Sequence, residues 1–220
     1  SFTVSDETLR EAGALARELG VGVHVHIAED AADVEDAKRR GYVGVLERLV
    51  ELDALPKGSI LAHGVHLSKS QVRRADEAGH WFVQNPRSNE GNRVGYAATL
   101  AASEHVALGT DGYPANMGDE LAALARLAGA NDDPIDTGGR RSRADAGRAL
   151  AEQLWGQPMS EDVVQDDDGS APGKIVQVVQ VVVDGTAVVE DGKLVRADLE
   201  EIRADAKAQA APLWERMNAL

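Results

Sequence analysis

The first 130 residues of the chain alternate between short β-branched or apolar runs and longer segments with apolar residues at helical spacing. This pattern predicts four strands, at residues 21–28, 59–63, 81–85 and 106–109. Strands separated by helices pair in parallel, because each connection returns the chain to the same end of the sheet. We therefore expect an α/β fold with a four-stranded parallel sheet. The turn-forming stretch NPRSN, which follows the third strand, is predicted to be a loop.

The remainder of the chain has a different composition. Its middle is rich in Asp, Gly and Arg, with one helix predicted at residues 144–154, and the DDDG stretch at 166–169 is predicted to be a solvated loop. Further on, two β-branched runs flank an Asp-Gly pair at 184–185, which is a strong hairpin signal. A second Asp-Gly pair, at 191–192, marks another tight turn. The chain ends in a predicted amphipathic helix, at 199–220.

Composition narrows the possible functions. The formal net charge of −14 repels phosphate backbones, so we expect no nucleic-acid partner. The chain has no cysteine, so a transition metal would have to bind through His and carboxylate side chains. No apolar run is long enough to cross a membrane and no secretory signal is recognisable, so we expect no membrane partner and a cytoplasmic location.

Two His residues lie at alternate positions of the first predicted strand. His24 and His26 therefore share one face of the sheet. His26 is nearer the C-terminal end of the strand, where α/β sheets and barrels build their sites, and Glu29 follows three residues later. An acid beside a potential ligand is what metal-assisted hydrolysis requires. An alternative interpretation, two core His residues satisfied by hydrogen bonds, fits this pair alone equally well.

Two further predicted strands end in polar residues. His63 ends the second strand, and Asp111 directly follows the fourth. Taken singly, His63 would more often be structural and Asp111 a turn or helix cap. Together with His26 they place two imidazoles and a carboxylate at three strand ends, where packing alone would favour apolar residues. The combination favours a metal-dependent hydrolase over a purely structural role. His80 and His105 lie at the opposite strand ends and are interpreted as structural or solvent-facing.

Several stretches of the chain match a known family. They are HVHIAEDAADV, LAHGVHLS, NPRSNEGNRVGYA and ALGTDGYPANMGDE, together with FTVSDETL near the start and VVVDGTAVVEDGKLV and LWERMNAL near the end. In this order they resemble the amidohydrolase superfamily, specifically its cytosine deaminase and chlorohydrolase-like branch, which includes SsnA-type aminohydrolases. The likeness covers about residues 1–128 and 175–220.

The resemblance implies an architecture. The chain would be the C-terminal half, strands 5–8, of a (β/α)8 TIM barrel, with the remnant of a small β-sandwich and a C-terminal helix. Residues 1–155 would form the partial barrel, residues 156–174 an irregular acidic linker, and residues 175–220 the sandwich hairpin and the helix.

The resemblance also implies residue roles. His26 would bind a metal, and Asp111 would bind the same metal and accept a proton from the attacking water. Glu29 would deliver a proton to a ring nitrogen of the substrate, and His63 would hold the water or the developing oxyanion. The implied cofactor is a divalent metal, zinc or else iron. The implied reaction hydrolyses C–N bonds other than peptide bonds in cyclic amidines or amides, as in deamination of a purine-, pyrimidine- or triazine-like ring.

The family pattern also includes an early HxH pair and strands 1–4, which do not occur in these 220 residues. One hypothesis is a functional amidohydrolase whose other half comes from upstream sequence or from another chain. The alternative is a truncated, non-catalytic remnant that acts as an associating domain. In either case open sheet edges predict a homo-oligomer. A third hypothesis is a metal-dependent esterase or phosphotriesterase on the same scaffold.

Overall fold

The structure is a computed structural model that describes residues 2–157, 163–166 and 178–219. The chain divides into two compact units, Ser1–Gln157 and Pro158–Leu220. The first contains a parallel sheet with helices, and the second contains an antiparallel sheet and one long helix. Among the helices of the described residues, none combines the length and the apolar character needed to pass through a membrane.

A four-stranded parallel sheet, in the order β1-β2-β3-β4, forms the centre of the first unit. Its strands are β1 (His24–Ile27), β2 (Ile60–His63), β3 (Trp81–Gln84) and β4 (Val106–Leu108). Helices occupy the connections between consecutive strands, so the four carboxyl ends meet at one edge of the sheet. The predicted α/β fold and its four parallel strands are confirmed, although each strand is shorter than predicted.

Helices flank and connect these strands. They are α1 (Asp6–Leu19), α2 (Ala31–Arg39), α3 (Val45–Glu51), α4 (Lys69–Glu77), α5 (Pro86–Gly91), α6 (Met117–Ala130) and α7 (Thr137–Trp155). Local sequence determines several of their ends. Ser5 accepts a hydrogen bond from the backbone N–H of Thr8 at the start of α1, and Gly20 takes the left-handed conformation that ends this helix. At the start of α4, Ser68 and Gln71 form a reciprocal capping box.

The two faces of the parallel sheet have different neighbours. Leu61 and Phe82 lie on one face and are fully buried in the main apolar core with residues of α1–α4. On the opposite face Trp81 packs against Leu150 of α7. The indole N–H of Trp81 also donates to Gln153 Oε1 at 2.7 Å. The sheet is therefore covered on both faces, as parallel sheets usually are.

Two predictions for the first unit are wrong. The NPRSN stretch, predicted to be a loop, starts helix α5 instead. Pro86 occupies its first turn, where the missing N–H costs no hydrogen bond and the fixed φ suits a helix. The helix predicted at 144–154 begins earlier, at Thr137, because Asp136 caps it by accepting from the backbone N–H of Gly139.

The second unit contains a four-stranded antiparallel sheet in the order β5-β6-β7-β8. Its elements are β5 (Val163–Asp166), β6 (Val178–Val183), β7 (Thr186–Glu190), β8 (Lys193–Leu194) and helix α8 (Leu199–Asn218). The predicted hairpin is confirmed, since Asp184 and Gly185 join β6 to β7 with φ angles of 48° and 70°. Asp191 and Gly192 join β7 to β8 in the same way, with φ angles of 49° and 73°. Both pairs have the positive φ angles that two-residue type I′ turns require.

The segment predicted to be an irregular acidic linker, residues 156–174, contains strand β5. This strand pairs antiparallel with β6, and the β-branched valines in both strands suit a sheet. Asp166 is therefore the last residue of a strand and not part of a solvated loop. The remainder of that predicted loop, residues 167–169, lies outside the described residues.

Arg48 ties the first helix to the rest of its unit. Its side chain is buried, its Nε donates to Asp6 Oδ1 at 2.9 Å, and its Nη2 donates to the carbonyl of Val4 at 2.8 Å. The hydroxyl of Tyr42 donates to Asp6 Oδ2 at 2.7 Å. The hydrogen bond from Tyr42, together with Arg48 and against the effect of burial, holds the pKa of Asp6 below its usual range.

Replacing Arg48 by Met should lower the free energy of unfolding of the first unit by roughly 2–3 kcal/mol, because Asp6 loses charge-assisted hydrogen bonds. Urea denaturation measures this change. Arg141→Met is the matched control, since its ion pair with Asp145 at 3.9 Å lies on the exposed surface of α7. It should change the free energy of unfolding by less than about 0.5 kcal/mol. Equal effects of the two substitutions would contradict the assigned role of Arg48.

Candidate active site

Three strand ends bring chemically reactive side chains together. His26 lies in β1, His63 is the last residue of β2, and Asp111 follows β4. One ligand atom of each residue lies within 4.8 Å of those of the other two. The imidazole rings of His26 and His63 meet edge to face, with ring centroids 4.6 Å apart. The convergence expected from the parallel strands is therefore present in the structure.

Glu29 joins this cluster from the loop after β1. Its Oε2 lies 3.4 Å from Nδ1 of His26 and 3.5 Å from Nε2 of His63. A carboxyl group in this position can exchange a proton with a group bound between the two rings. His24 shares the strand face of His26 but lies one pleat further from the carboxyl edge, and it is not part of the cluster. Burial, followed by the charges of His26 and His63, lowers the pKa of His24.

The backbone turns sharply where these strands end. Ala28, His63 and Asp111 have φ angles of 47°, 73° and 49°, a left-handed conformation that is uncommon for residues other than glycine. His63 pairs with Ile27 in the sheet, on the face opposite to His26, yet its ring contacts the ring of His26. The left-handed conformation of His63 accounts for this reversal. Such strained residues persist where the surrounding structure holds them and are frequent at functional sites.

The hydrogen bonds of His63 determine which nitrogen faces the site. Its ring is fully buried, and its Nδ1 lies 2.8 Å from Oδ1 of Asn89. The amide Nδ2 of Asn85 also lies near this Nδ1, at 3.4 Å. Because the shorter contact is to an amide oxygen, which only accepts, the geometry favours a proton on Nδ1, and a neutral ring then has its lone pair on Nε2. Among the described residues, Nε2 has no hydrogen-bond partner. It faces carboxylate oxygens of Glu29 at 3.5 Å and of Asp111 at 3.9 Å.

This donor set fits a divalent metal ion. Nε2 of His63 and the carboxyl groups of Glu29 and Asp111 converge on one region. Electron-rich groups this close repel one another unless a positive charge lies among them. Imidazole nitrogen and carboxylate oxygen are both common zinc ligands, and His26, His63 and Asp111 each present one such atom to the same small region. The chain offers no thiolate that could compete. The residues present are therefore suited to hold such an ion.

Asp111 is held as a carboxylate. The hydroxyl of Ser88 donates to its Oδ2 at 2.5 Å. This hydrogen bond lowers the pKa of Asp111; burial opposes the effect, and the nearby His63 and His26 and the backbone N–H of Gly112 assist it. An ionised Asp111 can bind a cation or accept a proton at neutral pH.

Three polar residues near the cluster were missed in the sequence analysis. Ser88 contacts Asp111, Asn89 contacts His63, and Nδ2 of Asn92 donates to Oε1 of Glu29 at 3.2 Å. They were missed because their segment was predicted to be a loop. A usable signal exists, since a proline followed by polar residues can start a helix, which places residues four apart on one face.

Comparison with known proteins gives consistent results for the first unit. The family model described as "Amidohydrolase family" matches residues 1–137. A 5-methylthioadenosine/S-adenosylhomocysteine deaminase of Haloquadratum walsbyi is 36% identical over 174 residues, which are 74% of this chain and 39% of that protein. A deaminase of the same name from Halobacterium salinarum is 35% identical over 68% of this chain and 37% of its own length.

Solved structures share the fold. An adenosine deaminase from Xanthomonas campestris with bound zinc aligns with a TM-score of 0.79 and 23% identity, over 99% of this chain and 55% of that chain. The atrazine chlorohydrolase TrzN from Arthrobacter aurescens TC1, complexed with zinc, aligns with a TM-score of 0.72 and 20% identity, over 93% and 52%. The chain thus spans about half of these structures and less than half of the curated relatives.

Gly109, directly after β4, packs closely against side chains of β3 and of the residue that follows β3. A Cβ there would be 2.6 Å from Asn85 Oδ1 and 2.6 Å from Val83 Cγ1. Gly109→Ala should therefore lower the free energy of unfolding by about 1–3 kcal/mol through overpacking. Gly112→Ala is the control, because a Cβ at Gly112 would meet no atom within 4 Å. Urea denaturation measures the free energy of unfolding of both variants. If this free energy is unchanged in Gly109→Ala, the neighbouring side chains move aside and the predicted overpacking is absent.

Proposed function

The chain is a member of the amidohydrolase family, and on that premise we propose that it takes part in metal-dependent hydrolysis of exocyclic C–N bonds on a heterocyclic ring. The observation that carries this proposal is the convergence of His26, His63 and Asp111, with Glu29 beside them, at one edge of the sheet. The names of the relatives, deaminases of adenosine-type nucleosides, favour an aminated purine over a pyrimidine or triazine as the substrate.

We propose that β1–β4 correspond to strands 5–8 of a (β/α)8 barrel. The all-parallel order of the sheet and the alignment of 99% of this chain with 55% of the zinc-containing deaminase support this assignment. On the same proposal residues 1–155 are the partial barrel, and the second unit derives from the small β-sandwich and the C-terminal helix. The first half of the barrel and its HxH pair would come from sequence or chains beyond these 220 residues.

The proposed cofactor is a divalent metal, with zinc preferred and iron second, held by His26 and Asp111. When bound, such an ion lowers the pKa of water toward neutrality and so supplies the nucleophile. We assign His63 to the water and not to the metal, because a lone pair on Nε2 can accept a hydrogen bond from that water. Nε2 of His63 also lies close enough to the other ligand atoms to bind the metal itself. Zinc retention by His63→Ala, described below, separates a role in holding water from a role in binding the metal.

The side chains divide the proton transfers of the proposed reaction among them. The carboxylate of Asp111 accepts a proton from the attacking water, and Nε2 of His63 keeps the water oriented. Glu29, in its protonated form, delivers a proton to a ring nitrogen of the substrate, which neutralises the charge that develops as water adds to the ring carbon. The proton held by Asp111 then passes to the amino group, which leaves as ammonia, and the proton of the added hydroxyl returns to Glu29 as the ring carbonyl forms.

We further propose that the protein acts on a small molecule and not on nucleic acid, in the cytoplasm, and that it forms a homo-oligomer. The net charge of −14 supports the first of these. For association, the support is the outer edge of β1, which pairs with no strand among the described residues. An unpaired strand edge is a ready template for contact with another chain.

Zinc binding tests the metal site. After loading and desalting, the wild-type chain should retain about one zinc per chain by elemental analysis, and His26→Ala should lose it. His24→Ala is the matched control, since it removes an imidazole from the same strand face without touching the cluster. His63→Ala should retain the zinc if His63 holds water. A metal-free wild-type chain that self-associates would instead support the non-catalytic alternative.

Ammonia release tests the reaction. With zinc loaded and the first half of the barrel supplied, by longer sequence or by a second chain, 5′-methylthioadenosine, S-adenosylhomocysteine and adenosine should release ammonia. Glu29→Gln should slow the release by about 10²–10⁴-fold because it removes the proton donor. Glu104→Gln, an exposed substitution outside the cluster, is the control. Hydrolysis of esters without ammonia release would overturn the deaminase proposal in favour of an esterase.

A further inference from the structure

We propose that helix α5 is a positioning element that orients three groups of the site at once, through Ser88, Asn89 and Asn92. This inference rests on the proposed function, because the groups that it orients are those assigned to the metal, the water and the substrate proton. None of the three residues is proposed to touch substrate. Each would act through the catalytic side chain that it contacts.

The three contacts come from one side of a single short helix. Ser88 and Asn89 are almost fully buried within α5, and Asn92 caps its C-terminal end. In a helix, successive residues are about 100° apart, so positions i, i+1 and i+4 fall within about one quarter to one third of the circumference. The side chains at 88, 89 and 92 therefore project toward the same region. There they form hydrogen bonds with Asp111, His63 and Glu29 respectively, with donor–acceptor distances of 2.5, 2.8 and 3.2 Å.

Each contact fixes a different property of its partner. The hydroxyl of Ser88 donates to Oδ2 of Asp111 and so holds the orientation of this carboxylate. Oδ1 of Asn89 accepts from Nδ1 of His63, which selects the tautomer with the lone pair on Nε2. Nδ2 of Asn92 donates to Oε1 of Glu29, which leaves Oε2 directed at the two imidazoles. The partners of a metal site commonly set tautomer and orientation in this way.

Ion pairs fix α5 itself to helix α6. Arg87 donates through Nε to Oε1 of Glu120 at 2.6 Å and through its backbone N–H to Oε2 at 3.2 Å, and Glu120 is fully buried. At the other end of α5, Glu90 receives both Nη1 and Nη2 of Arg126, at 2.7 and 2.6 Å. These pairs flank Ser88 and Asn89 on both sides. The position of α6 therefore determines the position of all three contacts.

The tautomer of His63 gives a direct test that needs neither zinc nor turnover. In chain labelled with ¹⁵N-histidine, at a pH at which the ring shifts indicate a neutral imidazole, the shifts of His63 should report the Nδ1–H tautomer. Asn89→Leu should remove this preference, and Asn89→Asp, which keeps the acceptor, should restore it. His105 is the internal control, because its Nδ1 pairs with Asp76 at 2.8 Å, away from α5. Unchanged His63 shifts in Asn89→Leu would overturn the inference.

Zinc affinity tests the contact to Asp111. Ser88→Ala should weaken zinc binding by about 10–100-fold, the usual effect of removing a hydrogen-bond partner of a ligand. Ser142→Ala, an exposed serine on α7, should leave the affinity unchanged. Circular dichroism establishes that each variant is folded. A Ser88→Ala variant that is folded and binds zinc as tightly as wild type would also overturn the inference.

The contact to Glu29 has a kinetic signature. Asn92→Leu should lower kcat about tenfold or more with little change in KM, because the acid is misoriented while substrate contacts remain. If no substrate releases ammonia, the deaminase proposal fails, but the tautomer and zinc measurements still decide the role of α5. If Asn89→Leu changes the tautomer and Ser88→Ala weakens zinc binding as expected, but no substrate is turned over, then the proposed function fails and this inference stands.

Discussion

Parallel pairing of four short strands is the constraint on which the rest of the molecule depends. Because β1–β4 all run in the same direction, every carboxyl end opens onto one edge, and side chains far apart in sequence become neighbours there. Ligand atoms of His26 and Asp111, 85 positions apart in the chain, therefore lie within 4.8 Å of each other. Burial of one sheet face against α1–α4 and of the other against α7 keeps that edge in place.

The sheet and the main cluster were accessible from sequence because both follow from simple periodicity. Alternating strands and helices imply a parallel sheet, and polar residues at the ends of three of its strands are together hard to explain by packing. Helix α5 was missed, because Asn, Pro and Ser also favour turns, and this local preference was followed instead of the helix-starting signal of Pro86. The pairing of Arg87 with the buried Glu120, a long-range contact that no local pattern contains, adds a tertiary stabilisation of this helix.

Family membership and the geometry of this chain address different questions. Membership rests on the match over residues 1–137 and establishes the family to which the chain belongs. The geometry concerns what these residues can do, and here the buried lone pair of His63 between two carboxylates carries more weight than any motif. The two agree on hydrolytic metal chemistry. The chain spans 39% of the length of its Haloquadratum walsbyi relative, so the whole-protein activity is a proposal about a larger assembly.

Trp81 gives this fold a built-in optical reporter. Its indole is almost fully buried under α7 and hydrogen-bonded to Gln153, whereas Trp155 and Trp214 are 64% and 57% exposed. The fluorescence emission maximum of Trp81 therefore lies at a shorter wavelength than the maxima of the two exposed tryptophans, and it shifts to longer wavelength when water reaches the ring. Detachment of α7 from the sheet could be followed by fluorescence alone and without a label, at the strand ends opposite to the cluster of His26, His63 and Asp111.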